Sequence, residues 1–143
     1  MSRSYSQGFY TLINPEKYIG SGTPKYRSGW ELTFMRFCDN HPSVINWASE
    51  NVRIPYKNPF TGRDTFYVPD FFVVYQNGRG RQAELIEIKP KSQSLIEEKQ
   101  SQRDRAQVAI NYAKWDQATK WAKKNGLSFR VINEDQIFRN GAK

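Results

Sequence analysis

The sequence predicts an α/β domain in which a mixed β-sheet of about four strands is flanked by helices. Three observations carry that expectation. Aromatic and β-branched residues run through 66–75 and, more briefly, through 84–88, and the intervening Gln76-Asn77-Gly78-Arg79-Gly80 holds Asn-Gly, a strong hairpin signal. Apolar residues recur at helical spacing after Ser28 and again from about 102 to 124. A final apolar run over 127–132 follows the second helix. A strand reached through a helix commonly pairs in parallel with the strand before it, so one sheet would hold both an antiparallel hairpin and a parallel crossover.

Residues 1–25 are rich in Ser, Gly, Tyr and Pro without a helical or strand period, which suggests an extended arm packing through Tyr5, Phe9, Tyr10 and Tyr18. The remaining 26–143 are expected to form a single domain. Ser28 and Glu31 have the spacing of a capping box, and Trp30, Phe34, Phe37 and Cys38 follow on one stripe until Asn40-His41-Pro42 ends the helix. Within 44–55, Ile45, Trp47 and Val52-Arg53-Ile54 suggest a strand, and a turn-rich basic segment occupies 56–63. After Pro90, residues 91–105 turn polar and charged, as a linker leading into the second helix. There Val108, Ala109, Tyr112, Trp115, Ala118, Trp121 and Ala122 make an apolar face, with both tryptophans assigned to the core, and Asn125-Gly126 supplies a stop. No internal repeat is present.

The 143 residues suit one domain with a single core. A net charge of +8 and a pI near 9.7 favour a polyanionic partner, because cations that neutralise phosphates gain affinity from released counterions. One cysteine allows no internal disulfide, and one histidine beside it makes no usual zinc site. No apolar run approaches the ~18 residues of a bilayer span, and Met1-Ser2-Arg3-Ser4 does not lead into a signal-peptide segment, so a cytosolic setting without a membrane partner is expected.

The chemistry concentrates at Pro69-Asp70 and Glu87-Ile88-Lys89. Strand alternation sends Glu87 and Lys89 to one face and Ile86 and Ile88 to the other. Pro69 has no amide to donate, which puts Asp70 at a strand opening, an edge or a kink, where the hairpin would bring it toward Glu87. Two carboxylates with the Ile88 carbonyl as a third oxygen suit Mg²⁺, with Mn²⁺ as a substitute, and Lys89 beside them would orient water or stabilise phosphate charge. None of Asp70, Glu87 and Lys89 is expected in the core, so alanine at each should spare the fold. Glu31 has two readings, a cap and an outer group of the acid site. Glu50 is either a further acidic neighbour or the partner of Arg27 or Arg53. His41 has no serine or cysteine partner and receives no role. Arg63, Arg79, Arg81, Lys91, Lys99, Arg103 and Arg105 are the candidate DNA contacts.

Asp70 followed by Glu87-Ile88-Lys89 resembles the PD-(D/E)xK nuclease signature, with Glu31 placed like the acid of that superfamily's first core helix. More narrowly, Tyr26-Arg27-Ser28-Gly29-Trp30-Glu31, Trp47-Ala48-Ser49-Glu50, Ile54-Pro55-Tyr56, Ile86-Glu87-Ile88-Lys89-Pro90-Lys91, Lys114-Trp115 and Phe129-Arg130-Val131-Ile132-Asn133-Glu134-Asp135 resemble the head-completion nucleases of T4-like tailed bacteriophages. The architecture is also similar to the catalytic domain of TnsA-type transposon endonucleases. The resemblance implies a restriction-endonuclease-like core and a divalent-metal DNA endonuclease that processes the packaged DNA end. It implies double-stranded DNA and head, portal or neck proteins as partners, and a location in the host cytoplasm or at the head–tail vertex. It also favours a site role for Glu31 alongside capping. Gln107 and Tyr112 are one residue too far apart for the Gln-x-x-x-Tyr element of other branches, so Gln107 stays outside the catalytic set. The competing reading is a structural head or neck protein that binds DNA or portal on a retained nuclease scaffold. It is motivated by the basic charge and the aromatic arm.

Overall fold

The computed structural model describes residues 7–91 and 101–136. Their elements are β1 (Gly8–Phe9), β2 (Lys25–Tyr26), α1 (Gly29–Asn40), β3 (Val44–Ser49), β4 (Ile54–Lys57), β5 (Asp64–Tyr67), β6 (Phe71–Asn77), β7 (Gly80–Ile88), α2 (Gln102–Lys124) and β8 (Ser128–Ile132). A four-stranded sheet runs in the order β3-β6-β7-β8, antiparallel across the first two pairings and parallel across the last. This is the predicted mixed sheet, with helices on both faces and a restriction-endonuclease-like connectivity. Two-stranded ribbons, β1 with β2 and β4 with β5, lie outside it.

Period-two alternation divides the core into two clusters. On the α1 side, Phe71, Val73, Ile86, Ile88 and Ile132 pack with Phe34, Met35 and Cys38. On the α2 side, Leu85 packs with Ile54, Tyr56, Tyr67, Trp115, Ala118 and Ala122. A register shift between Val44 and Asn46 inserts one residue into β3, so Val44 and Trp47, three apart, both reach the α1 cluster.

Two expectations are corrected. The strand expected within 44–55 is two strands in different sheets, because Glu50 closes β3 with a left-handed φ of 47° that a ladder cannot continue. The aromatic run 66–75 is likewise divided at Pro69, which cannot donate to a ladder, into β5 and β6. On α2 the buried stripe takes Asn111, while Tyr112, assigned to the apolar face, is 43% exposed. The interval 92–100, with Lys99, and Tyr5 lie outside the described residues.

The N-terminal segment is held largely by single side chains, with the two-residue β1–β2 pairing, a 3-10 turn at Pro15–Lys17 and a bridge from Tyr18 to Trp47 as its regular structure. Tyr10 is buried against Trp47, and Tyr18 meets the same indole edge-on at 4.7 Å, whereas Phe9 is exposed. The anchor is Asp39 on α1, fully buried, which accepts hydrogen bonds from the Tyr10 hydroxyl (2.7 Å) and the amides of Ile13 (2.8 Å) and Asn14 (2.9 Å). Lys17 Nζ bonds the carbonyls of Asp39 and His41 at the end of α1.

Candidate active site

Pro69 ends one strand and releases the chain into β6 at Phe71, with Asp70 at the junction. Phe71 pairs with Ile86, so continuing the antiparallel register by one residue sets Asp70 across from Glu87. The bond from the Ile88 amide to Asp70 Oδ2 (2.8 Å) ties the two strands there. On its other side Asp70 accepts the Glu50 amide at its backbone oxygen (2.9 Å), extending the β3–β6 ladder past its last pair.

Glu87 points to the α2 side, as alternation with Ile86 and Ile88 requires. It is 6% exposed, so the expectation that no motif residue belongs to the core is corrected for this one. The reason is that β7 is a central strand covered by α2 and the β4–β5 ribbon. Its Oε1 accepts the Tyr67 hydroxyl at 2.7 Å, and Lys89 Nζ lies 3.7 Å from Oε2. Lys114 of α2 sits beyond Tyr67, Nζ 5.6 Å from the ring centroid.

The electrostatics describe a desolvated, mutually repelling acid pair. Burial first, and the charge of Glu87 second, push the Asp70 carboxyl well above its ordinary value, with Glu31 adding to the repulsion. Burial also raises Glu87, against the opposing pull of Tyr67, Lys89 and Lys114. Burial lowers Lys114, helped by Lys89.

Glu31 serves as a cap. Ser28 Oγ accepts the Glu31 amide (3.1 Å), and Glu31 Oε1 accepts the Arg27 amide (3.0 Å). Its carboxyl is raised, chiefly by burial and then by Glu50, and its charge is felt at Asp70, so it borders the acid pair as well. Glu50 ion-pairs with Arg27 on the surface. His41 caps α1, its Nδ1 accepting the Ser43 amide (3.1 Å). Gln107 bonds Asn111 rather than any motif residue.

The candidate DNA-contact residues lie on several elements. Arg79 and Arg81 sit at the β6–β7 turn, six or more residues along the ladder from Glu87, which is about 20 Å at ~3.3 Å per residue. Arg63 closes the β4–β5 turn, Arg103 and Arg105 are exposed in the first turn of α2, and Lys91 is paired with Asp135.

Tyr67 has no reading in the sequence, and Lys114 appears there only in the Lys114-Trp115 pair of the resemblance, without a site role. Lys114 carried a usable signal: it stands three residues after Asn111 and four before Ala118, on the buried stripe of α2, where a lone cation is out of place. Tyr67 had none, since its partner is twenty residues away across a strand break.

A mixed sheet between α1 and α2, with the motif acids and lysine at the mouth of its central hairpin, defines a protein of the restriction-endonuclease-like class. The chain belongs to the TnsA-like endonuclease family: the family model for the TnsA-like endonuclease N terminal matches residues 41–134. It is also 32% identical over 149 aligned positions to the head completion nuclease of Enterobacteria phage T4, the alignment covering 95% of this chain and 96% of that protein. The chain is therefore a member of a nuclease family.

Proposed function

We propose that this chain is a divalent-metal-dependent DNA endonuclease acting in phage head completion, where it trims or processes the packaged DNA end before tail joining. The observation that carries the metal-site reading is the Asp70 and Glu87 pair: two carboxylates on adjoining strands, desolvated and mutually repelling, with a lysine at 3.7 Å. The T4 relative's name supports the assembly step, and a net charge of +8 supports a nucleic-acid substrate.

Among the described residues no group of three or more His, Cys, Asp or Glu is arranged to hold a metal ion. Mg²⁺ does not require one, since it commonly binds through one or two carboxylates and keeps several waters. The hard-oxygen pair fits it, and Mn²⁺ is the natural substitute. Asp70 and Glu87 would hold the ion with the Ile88 carbonyl. When bound, the ion supplies Lewis-acid polarisation of the phosphate and a lower pKa for attacking water. Lys89 contributes a positive charge beside Glu87 that meets the negative phosphate. Tyr67 holds the Glu87 carboxylate in one orientation through Oε1. Glu31, from α1, adds an acidic group at the edge. Arg63, Arg103 and Arg105 remain candidate phosphate contacts. The host cytoplasm during assembly, near the portal vertex, is the matching location, with head, portal or neck proteins as partners.

The test is nicking of supercoiled plasmid by wild type, Asp70→Asn, Glu87→Gln and Lys89→Met, with Mg²⁺, with Mn²⁺ and with chelator. The amide variants keep acceptors for Ile88 and Tyr67, which alanine would strand. Cutting only with metal, reduced about 1,000-fold in each variant, is the expected result. DNA binding without cutting by wild type in either metal would return the chain to the structural scaffold reading.

A further inference from the structure

We propose that Lys114 is an active-site cation, delivered by α2 to bind the DNA phosphate at the acid pair. The proposal deepens the nuclease reading and rests on it.

The argument begins with what Lys114 lacks. It is half-buried on the inner stripe of α2, yet among the described residues it has no hydrogen bond and no ion pair within 4.0 Å. Long cationic side chains normally reach water or a carboxylate, and a partly desolvated lysine with neither costs stability. The nearest carboxylate is already engaged. Tyr67 occupies Glu87 Oε1 at 2.7 Å, and Lys89 stands by Oε2 at 3.7 Å. The Tyr67 ring presents its face to Lys114, whose Nζ lies 5.6 Å from the centroid. Tyr67 thus holds Glu87 through its hydroxyl and faces Lys114 with its ring.

Two lysines from different elements therefore converge on one acid pair, Lys89 from the end of β7 and Lys114 from α2. A phosphodiester oxygen entering there accepts from both, and the unpaired charge at Lys114 finds its partner only in the complex. The same charge excess explains why burial is tolerated, since a site that binds a polyanion gains from cations held without competing carboxylates.

The experiment measures binding of a duplex oligonucleotide by fluorescence anisotropy in chelator over a salt series, and plasmid nicking in Mg²⁺, for wild type, Lys114→Met, Lys114→Arg and Lys120→Met. Lys120 is on the same helix but exposed and paired with Asp116. Lys114→Met is expected to fold with an undiminished thermal midpoint, to lower the slope of log affinity against log salt by about 0.9, and to slow nicking about 100-fold. Lys114→Arg should retain the slope. A Lys114→Met protein with wild-type slope and cutting rate overturns the proposal, as does equal loss of both in Lys120→Met. If wild type cuts in no metal, the nuclease reading fails, and the slope alone still decides whether Lys114 holds a phosphate. Lys114→Gln serves the same comparison should the methionine variant not fold.

Discussion

Asp39 and the pair Asp70 and Glu87 are acids withdrawn from solvent within one small domain, and they stand in opposite conditions. Burial pushes Asp39 upward, but the hydrogen bonds from Tyr10, Ile13 and Asn14 and the charge of Lys17 outweigh it and hold the carboxyl below its ordinary value. At Asp70 burial acts in the same direction, a second carboxylate joins it, and one amide and one lysine do not suffice. The difference teaches where the domain is satisfied and where it is held in readiness. Around Asp39 the chain supplies every partner and thereby fixes its N-terminal segment. Around Asp70 and Glu87 the positive charge is left short, a condition that perturbed functional sites share.

The largest break in this comparison comes from Asp39→Ala. Leaving the Tyr10 hydroxyl and two amides without their acceptor should lower unfolding free energy by about 3 kcal/mol, read as a lower urea midpoint, with a smaller loss for Tyr10→Phe. Asp70→Asn and Glu87→Gln should do the reverse, each raising stability in chelator by about 1 kcal/mol while removing activity. Addition of Mg²⁺ should narrow that gap by stabilising wild type alone.

The pH dependence sharpens the contrast because the signs oppose. Raised carboxyls favour the protonated folded state, so the handicap of Asp70 and Glu87 is greatest at neutral pH and disappears as pH falls toward their ordinary values of 3.8 and 4.5. Wild type and the double amide variant should therefore converge in stability on acidification. Asp39 is depressed, so its contribution persists down to its ordinary value of 3.8 and is lost only below it. Denaturant midpoints at a series of pH values, in chelator, separate the two limbs. The smallest effect concerns Glu31: Glu31→Gln keeps an acceptor for the Arg27 amide and should shift stability by under about 0.5 kcal/mol, whereas Ser28→Ala should cost about 1. A cutting defect in Glu31→Gln alone would separate the site role from the cap.

Local chemistry made much of this legible. Ser28 with Glu31 and His41-Pro42 bracket α1, the Asn-Gly turn places the β6–β7 hairpin, and Pro69 marks the opening at Asp70. The features that escaped are set by tertiary contacts. The left-handed Glu50 divides a stretch that reads as one strand, and nothing in its side chain announces that backbone. Residues 7–26 lack a period because Tyr10, Asn14 and Lys17 converge on Asp39 through single polar contacts and Tyr18 packs on Trp47, instead of sharing an apolar face. Arginines near in sequence to Glu87 lie at the far end of the hairpin, because a strand converts proximity along the chain into distance. Tyr67 and Lys114 enter the site only once the β4–β5 ribbon and α2 have closed on the same face of the sheet.

Asp70 and Glu87 stand opposite each other on adjoining chains, braced by the Ile88 amide and by the bond from Glu50. Their separation is therefore set by the sheet ladder. Lys114 and Glu31 are carried by helices on opposite faces of the sheet. Were the pair to hold an ion as proposed, movement of either helix would reset the cations and acids around it without altering the spacing of the two carboxylates, so that access and coordination would be governed by different parts of the molecule.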